Sequence, residues 1–221
     1  MIFELPSYPK HTTLTLTEVS IARGSRVLLA GVSAELDAGT LALFTGPNGV
    51  GKSSLLRAVA GFARPAAGQI SINQVPVAAL ARDSALPVAF HGHTDGLKGD
   101  LSVRANLEFY RRLHCSVAPP ADVLDPIDAL AGRFGLGAVL GLEVRQLSAG
   151  QRRRVALSRL LMAGQPIWIL DEPYTNLDVA GRSALDTLIG AHLKAGGLCL
   201  IATHLEVNVP ARRRLNIALA D

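Results

Sequence analysis

Residues 45–54 read Thr45-Gly46-Pro47-Asn48-Gly49-Val50-Gly51-Lys52-Ser53-Ser54, directly after the apolar run Leu41-Ala42-Leu43-Phe44. The spacing Gly46-x-x-x-x-Gly51-Lys52-Ser53 is that of a nucleotide phosphate loop. Glycines let such a loop curl until successive N–H groups point inward at anionic oxygens. The helix predicted from about Lys52 adds the positive end of its dipole. Lys52 can then reach β- and γ-phosphates, and the Ser53 hydroxyl can ligate Mg²⁺. The competing reading is an ordinary glycine-rich turn between strand and helix. A buried strand before the loop and Ser54-Leu55-Leu56-Arg57-Ala58-Val59 after it favour the phosphate loop, so Gly46, Pro47, Asn48, Gly49, Val50, Gly51, Lys52, Ser53 and Ser54 form the first candidate site.

The rest of the chain sets that loop in an α/β frame. Its 221 residues, 49 % hydrophobic and 18 % charged, can bury a real core. No apolar run approaches the roughly 18–20 residues of a transmembrane helix, and residues 1–10 lack the basic-then-apolar build of a signal peptide. A soluble, cytosolic chain is expected, with any membrane association made through a partner. Cys115 and Cys199 make no disulfide framework in that setting, and Cys199 reads as buried filler of a strand. The net charge of +4 gathers at Arg111-Arg112, Arg152-Arg153-Arg154 and Arg212-Arg213-Arg214, runs expected on solvated helix faces. Aromatics are only 5 %, so no nucleic-acid partner is expected.

Leu14-Thr15-Leu16-Thr17-Glu18-Val19-Ser20-Ile21 and Gly68-Gln69-Ile70-Ser71-Ile72-Asn73 alternate roughly as half-buried strands do. Leu41 to Phe44, Ile167-Trp168-Ile169-Leu170 and Leu198-Cys199-Leu200-Ile201-Ala202 are instead continuous apolar runs, as in strands covered on both faces. The expected architecture is a parallel sheet flanked by helices, with an antiparallel β flap near the N-terminus. Strand signals vanish between 105 and 147. Helices are expected over 105–113 and 123–134, separated by Ala118-Pro119-Pro120-Ala121. The chain thus reads as one domain, with residues 12–93 and 161–221 as core and about 94–160 as an inserted helical lobe. No internal repeat is visible.

Each of the three buried strands ends in a chemically loaded residue: the first in the phosphate loop, the second in Asp171-Glu172-Pro173, the third in Thr203-His204. In an open parallel sheet, ligands sit outside the carboxyl ends of the strands. Asp171 is placed to hold Mg²⁺, as a hard cation wants oxygen ligands. Glu172 can polarise an attacking water, and His204 can orient that water or meet the γ-phosphate. Read singly, a strand-end Asp-Glu is often a helix cap and a lone His is usually structural. Gln146-Leu147-Ser148-Ala149-Gly150-Gln151 is locally a capping box, Ser148 at the N-cap and Gln151 three residues on. It also offers a second helix N-terminus able to bind an anion, so the two phosphate-seeking ends suggest a meeting across a dimer. His91-x-His93, with His114-Cys115, fits no standard zinc spacing, and zinc or haem ligation there is not expected.

In content and order, the phosphate loop, LSAGQ at 147–151, ILDEP at 169–173, Asn176-Leu177-Asp178 and Thr203-His204 resemble the ATP-binding-cassette (ABC) ATPases over nearly the whole chain. Ala89-Phe90-His91-Gly92-His93-Thr94-Asp95-Gly96-Leu97-Lys98, LSAGQRRRVALSRL, WILDEPYTNLD and the short end after ATHLEVNV are similar to the haem-exporter ATPases of cytochrome c maturation. The resemblance implies ATP and Mg²⁺ as ligands, Ser53 and Asp171 at the metal, and Glu172 and His204 as catalytic residues. It implies a head-to-tail homodimer in which Ser148, Gly150 and Gln151 face the other copy's nucleotide and Asp178 lies at the seam. An integral membrane subunit of the cytochrome c maturation B type, with C and D types, is the implied partner. The chain would then sit peripherally on the cytoplasmic face of the inner membrane and contact no haem itself. Ala149 stands where many relatives carry glycine. His93 stands where most carry a glutamine that touches Mg²⁺ and signals to the membrane subunit. Arg23 stands where an aromatic usually stacks on adenine, and a guanidinium plane can stack too. The rival readings are an ATPase of another small bacterial exporter and a soluble regulator acting on ribosomes or DNA.

Overall fold

The computed structural model describes residues 7–9, 11–83, 86–115 and 127–219. The first six residues, the proline break at 118–121 and the first residues of the helix expected from 123 lie outside the described residues, as do the side chains of His114 and Cys115.

A five-stranded, all-parallel sheet carries the core. Its strands are β3 (Thr40–Thr45), β6 (Val88–His91), β7 (Ile167–Asp171), β8 (Leu198–Ala202) and β9 (Arg213–Ala218), in the order β6-β7-β8-β3-β9. β7 and β8 are buried at every residue and β3 at all but Thr45, because helices cover both faces of the sheet. α1 (Lys52–Val59) and α6 (Val179–Lys194) pack on these central strands. With all strands parallel, the loops after β3, β7 and β8 emerge side by side at one edge.

β1 (Thr13–Arg23), β2 (Arg26–Asp37), β4 (Ala67–Ile72) and β5 (Val75–Pro76) form a separate antiparallel sheet ordered β2-β1-β4-β5; α2 (Val77–Arg82) follows it. The buried residues of β1 are Leu14, Leu16, Val19 and Ile21, so the alternation skips one position at Thr17-Glu18. A bulge explains the skip: the register shifts there in both pairings and Glu18 takes φ +50°. Gly68 makes room for it, since a Cβ would lie 2.2 Å from the Glu18 carbonyl oxygen.

Between β6 and β7 the chain runs through α3 (Val103–Cys115), α4 (Ile127–Arg133) and α5 (Ala149–Ala163), which pack on one another. Two arginine runs depart from the solvated helix faces expected of them. Arg213 and Arg214 lie in β9, an edge strand, where exposed charge keeps further strands from adding. Arg153 points inward from α5 and is 3 % exposed.

His192 ends the apolar face of α6, stacked on Trp168 at 3.8 Å between ring centroids and 3.0 Å from the Leu198 carbonyl through Nε2. Burial pushes its pKa down to about 3. The unfolded chain therefore binds a proton that the folded chain refuses between pH 6.5 and 3, and stability falls as pH drops through that window. The slope contributed is at most about 1.4 kcal/mol per pH unit. His192→Gln should flatten the loss of urea stability between pH 7 and 5 relative to the parent; an unchanged slope would remove the assignment.

Candidate nucleotide site

The phosphate loop follows β3 without a break, and its glycines are conformationally required. Gly46, Gly49 and Gly51 take φ of +142°, +85° and +113°, which L side chains rarely adopt. At Gly46 a Cβ would also lie 2.3 Å from the Leu219 carbonyl oxygen. Gly51 caps α1 with no side-chain hydrogen bond, so the N–H groups of the first turn remain available to an anion. Lys52, 7 % exposed, donates from Nζ to the carbonyls of Gly46 (2.7 Å) and Pro47 (2.9 Å), which holds its charge over the loop.

A cleft of about 690 Å³ opens beside the loop. It is lined by Asn48, Gly49, Gly51, Lys52, Ser53 and Ser54, and by Arg23, His93, Asp171, Glu172 and His204 from the neighbouring strand ends and loops. Gly46, Pro47 and Val50 do not line it: Val50 is buried, and Gly46 and Pro47 are exposed and reach the site through the carbonyls that accept from Lys52. Ser53 Oγ donates to Asp171 Oδ1 at 3.0 Å, which brings a hydroxyl and a carboxylate together. These hard oxygen donors suit Mg²⁺. Burial raises the pKa of Asp171, and the Glu172 carboxylate raises it further, against the lowering effects of the Ser53 hydrogen bond, His93 and Arg153. Glu172 lies just past β7 at φ +49°, its N–H still bonded to the Ala202 carbonyl at 2.8 Å. His204 Nδ1 sits 3.2–3.3 Å from the Glu172 carboxylate oxygens. Carboxylate, imidazole, cation and bare amides thus surround one cavity.

Four expected site residues lie elsewhere. Ser148 caps α5 and Gln151 returns the bond, both halves of the capping box being formed (3.1 and 2.9 Å). Gly150 packs near the carbonyl of Asn176, to which a Cβ would come within 3.1 Å. Asp178 caps α6 by accepting from Gly181 N at 2.8 Å and is exposed. None of these four lines the cleft of its own chain.

Arg26, Leu28 and Thr175 line the cleft without having been singled out in the sequence. Arg26 reaches it because the tight β1–β2 hairpin pairs it directly with Arg23. His91 ends β6 buried, with no hydrogen-bond partner for either ring nitrogen among the described residues, and burial holds its pKa well below the ordinary value. His93, two residues on, lies at the cleft instead, so the two histidines do not converge. Among the described residues no group of three or more His, Cys, Asp or Glu could hold a metal ion. No described helix is long and apolar enough to cross a membrane.

The profile of the ABC transporter family matches residues 29–175. The chain is 38 % identical over 207 residues to the cytochrome c biogenesis ATP-binding export protein CcmA of Rhodobacter capsulatus, covering 94 % of this chain and 88 % of that one. It is 39 % identical to the protein of the same name in Paramagnetospirillum magneticum, covering 93 % and 94 %. CcmA 2 of Cupriavidus metallidurans is 41 % identical, covering 86 % and 89 %. The solved structure of a putative ABC transporter ATP-binding protein from Pyrococcus furiosus superposes with a TM-score of 0.77 at 22 % identity, covering 94 % of this chain and 97 % of that one, which bears on the fold alone. The phosphate loop, the Ser53–Asp171 pair and the Glu172–His204 pair therefore stand in an ATPase, and the chain belongs to the ABC transporter family as an ATP-binding subunit most like CcmA.

Proposed function

We propose that this chain hydrolyses ATP as the peripheral subunit of a membrane exporter serving cytochrome c biogenesis, with haem export as the process served. The shared name of relatives matched over nearly their full length supports that cargo class. In the proposed reaction the phosphate-loop amides and Lys52 bind the β- and γ-phosphates, and Arg23 stacks on the base. Glu172 polarises the attacking water, and His204, hydrogen-bonded to Glu172, orients it. Ser53 and Asp171 would hold Mg²⁺, which when bound supplies charge neutralisation on the phosphate oxygens. His93, at the cleft's edge, would report its state to the membrane subunit. Residues 94–160 would form the lobe through which that subunit is engaged, on the cytoplasmic face of the inner membrane.

The observation that carries the cycle is the second anion-seeking helix end. Ser148 and Gln151 form a complete cap at the tip of α5, yet this tip lies outside its own chain's cleft. A second copy related by a two-fold axis would bring the tip, with Gly150 and Asp178, to the γ-phosphate of its partner. ATP then holds two copies closed, and loss of the γ-phosphate contacts lets them part.

Purification of the tagged chain from its native membrane tests the assignment. It should bring down a multispanning subunit together with haem-handling proteins, and deletion should abolish holo-cytochrome c. Isolation without such partners and unchanged holo-cytochrome c would overturn the export reading and leave the ATPase standing.

A further inference from the structure

One buried cation ties the working parts of this ATPase together. Arg153 lies five residues after the Ser148 cap, on the inward side of α5. Its Nη2 donates to the carbonyls of Glu172 at 2.6 Å and Asp171 at 3.4 Å, and its Nε to that of Pro173 at 3.4 Å. Its Nη1 meets the Asp95 carboxylate at 3.0 Å and lies 3.4 and 3.5 Å from the carbonyls of Gly92 and His93. A planar guanidinium with its donors in a fixed fork can bridge two loops in this way; a point-charge ammonium cannot.

We infer that Arg153 is a positioning residue for ATP hydrolysis, setting the backbone of Glu172 and of the His93 loop from the helix that carries Ser148. Glu172 needs such support. Its left-handed backbone is unfavourable for a side chain with a Cβ and persists only where the surroundings over-determine it. The Ala202 carbonyl fixes its N–H from one side and Arg153 fixes its carbonyl from the other. The His93 loop is held on its far side as well. Tyr110 Oη donates to the Gly96 carbonyl, and the buried Asn106 exchanges hydrogen bonds with Lys98 N (2.9 Å) and the Lys98 carbonyl (3.0 Å). A shift of α5, as when a second copy's nucleotide engages its tip, is therefore transmitted to both loops through one side chain.

The inference rests on the hydrolytic reading of Glu172, and steady-state kinetics of the full chain separate the two. Arg153→Gln should lower kcat about tenfold, the effect of moving a reacting group by a fraction of an ångström, with KM for ATP essentially unchanged because the phosphate loop is untouched. Arg153→Lys should recover only part of the loss. Asp95→Asn, at a partly exposed carboxylate that folding tolerates, should lower kcat by a smaller factor, and the double variant should be no slower than Arg153→Gln alone. Wild-type kcat in Asp95→Asn overturns the inference even where Arg153→Gln fails to fold. So does a fall in kcat that only tracks the unfolded fraction. If Glu172→Gln turns over at the parent rate, the hydrolytic reading has failed instead.

Discussion

Glu172→Gln is expected to slow ATP hydrolysis by roughly 10²- to 10⁴-fold, the range over which a positioned general base contributes, while ATP binding survives. The change removes the negative charge that can draw a proton from water, and it alters neither size nor the ability to accept from His204 Nδ1. The groups proposed to grip the nucleotide are untouched, since Lys52, Ser53 and the loop amides line the same cleft without a hydrogen bond to the Glu172 carboxylate among the described residues. Binding without cleavage has a second consequence. If ATP joins two copies through the capped tip of α5, a variant that cannot remove the γ-phosphate accumulates as a dimer when ATP and Mg²⁺ are present. Phosphate release and size-exclusion chromatography read the two effects separately. Turnover at the parent rate would take the base assignment from Glu172. Slow turnover with a monomer at saturating ATP would keep the base and remove the sandwich.

The central strands were legible because their burial is total. A run such as Ile167-Trp168-Ile169-Leu170 admits few alternatives when both faces of a sheet are covered, and its end locates Asp171 and Glu172 without ambiguity. The capping box at Ser148 was equally local, a four-residue motif that needs no distant partner to form. What escaped depends on contacts far apart in the chain. β9 is an edge strand of mixed character whose pairing with β3 bridges more than 160 residues, and its Arg213 and Arg214 read as helix surface until β3 is placed beside them. Arg26 faces the cleft only through the hairpin register with Arg23. Arg153 left a fainter trace. On α5 it shares a stripe with Ala156, Leu157 and Leu160, all buried, so helical phase alone placed a guanidinium on the inner face. Charge argued for solvent and periodicity argued for the interior; carbonyls from two other segments of the chain, 92–93 and 171–173, decided it, and no local pattern announces them.

Lys52→Ala is expected to weaken ATP binding itself by about 10- to 100-fold. That is the equivalent of losing one charge-assisted contact worth roughly 1.5–3 kcal/mol. The lysine is held where the terminal phosphates would lie, since the Gly46 and Pro47 carbonyls accept from its ammonium and restrict the long side chain to the loop. Little conformational entropy remains to be lost when phosphate oxygens approach, so the charge acts at nearly full value. The backbone amides and the N-terminus of α1 persist in the variant, and this sets the upper bound: residual affinity should be measurable and should still depend on Mg²⁺ through Ser53 and Asp171. Titration calorimetry with ATP under conditions that block turnover gives the affinity. A thermal melt without nucleotide separates any loosening of the loop, now lacking a donor to two carbonyls, from the loss of phosphate contact. The contrast with Glu172→Gln is the sharper test, because one substitution should weaken binding and leave the base, and the other should remove the base and leave binding. Unchanged ATP affinity in Lys52→Ala, with the variant folded, would displace the triphosphate from this loop and with it the placing of every group around the cleft.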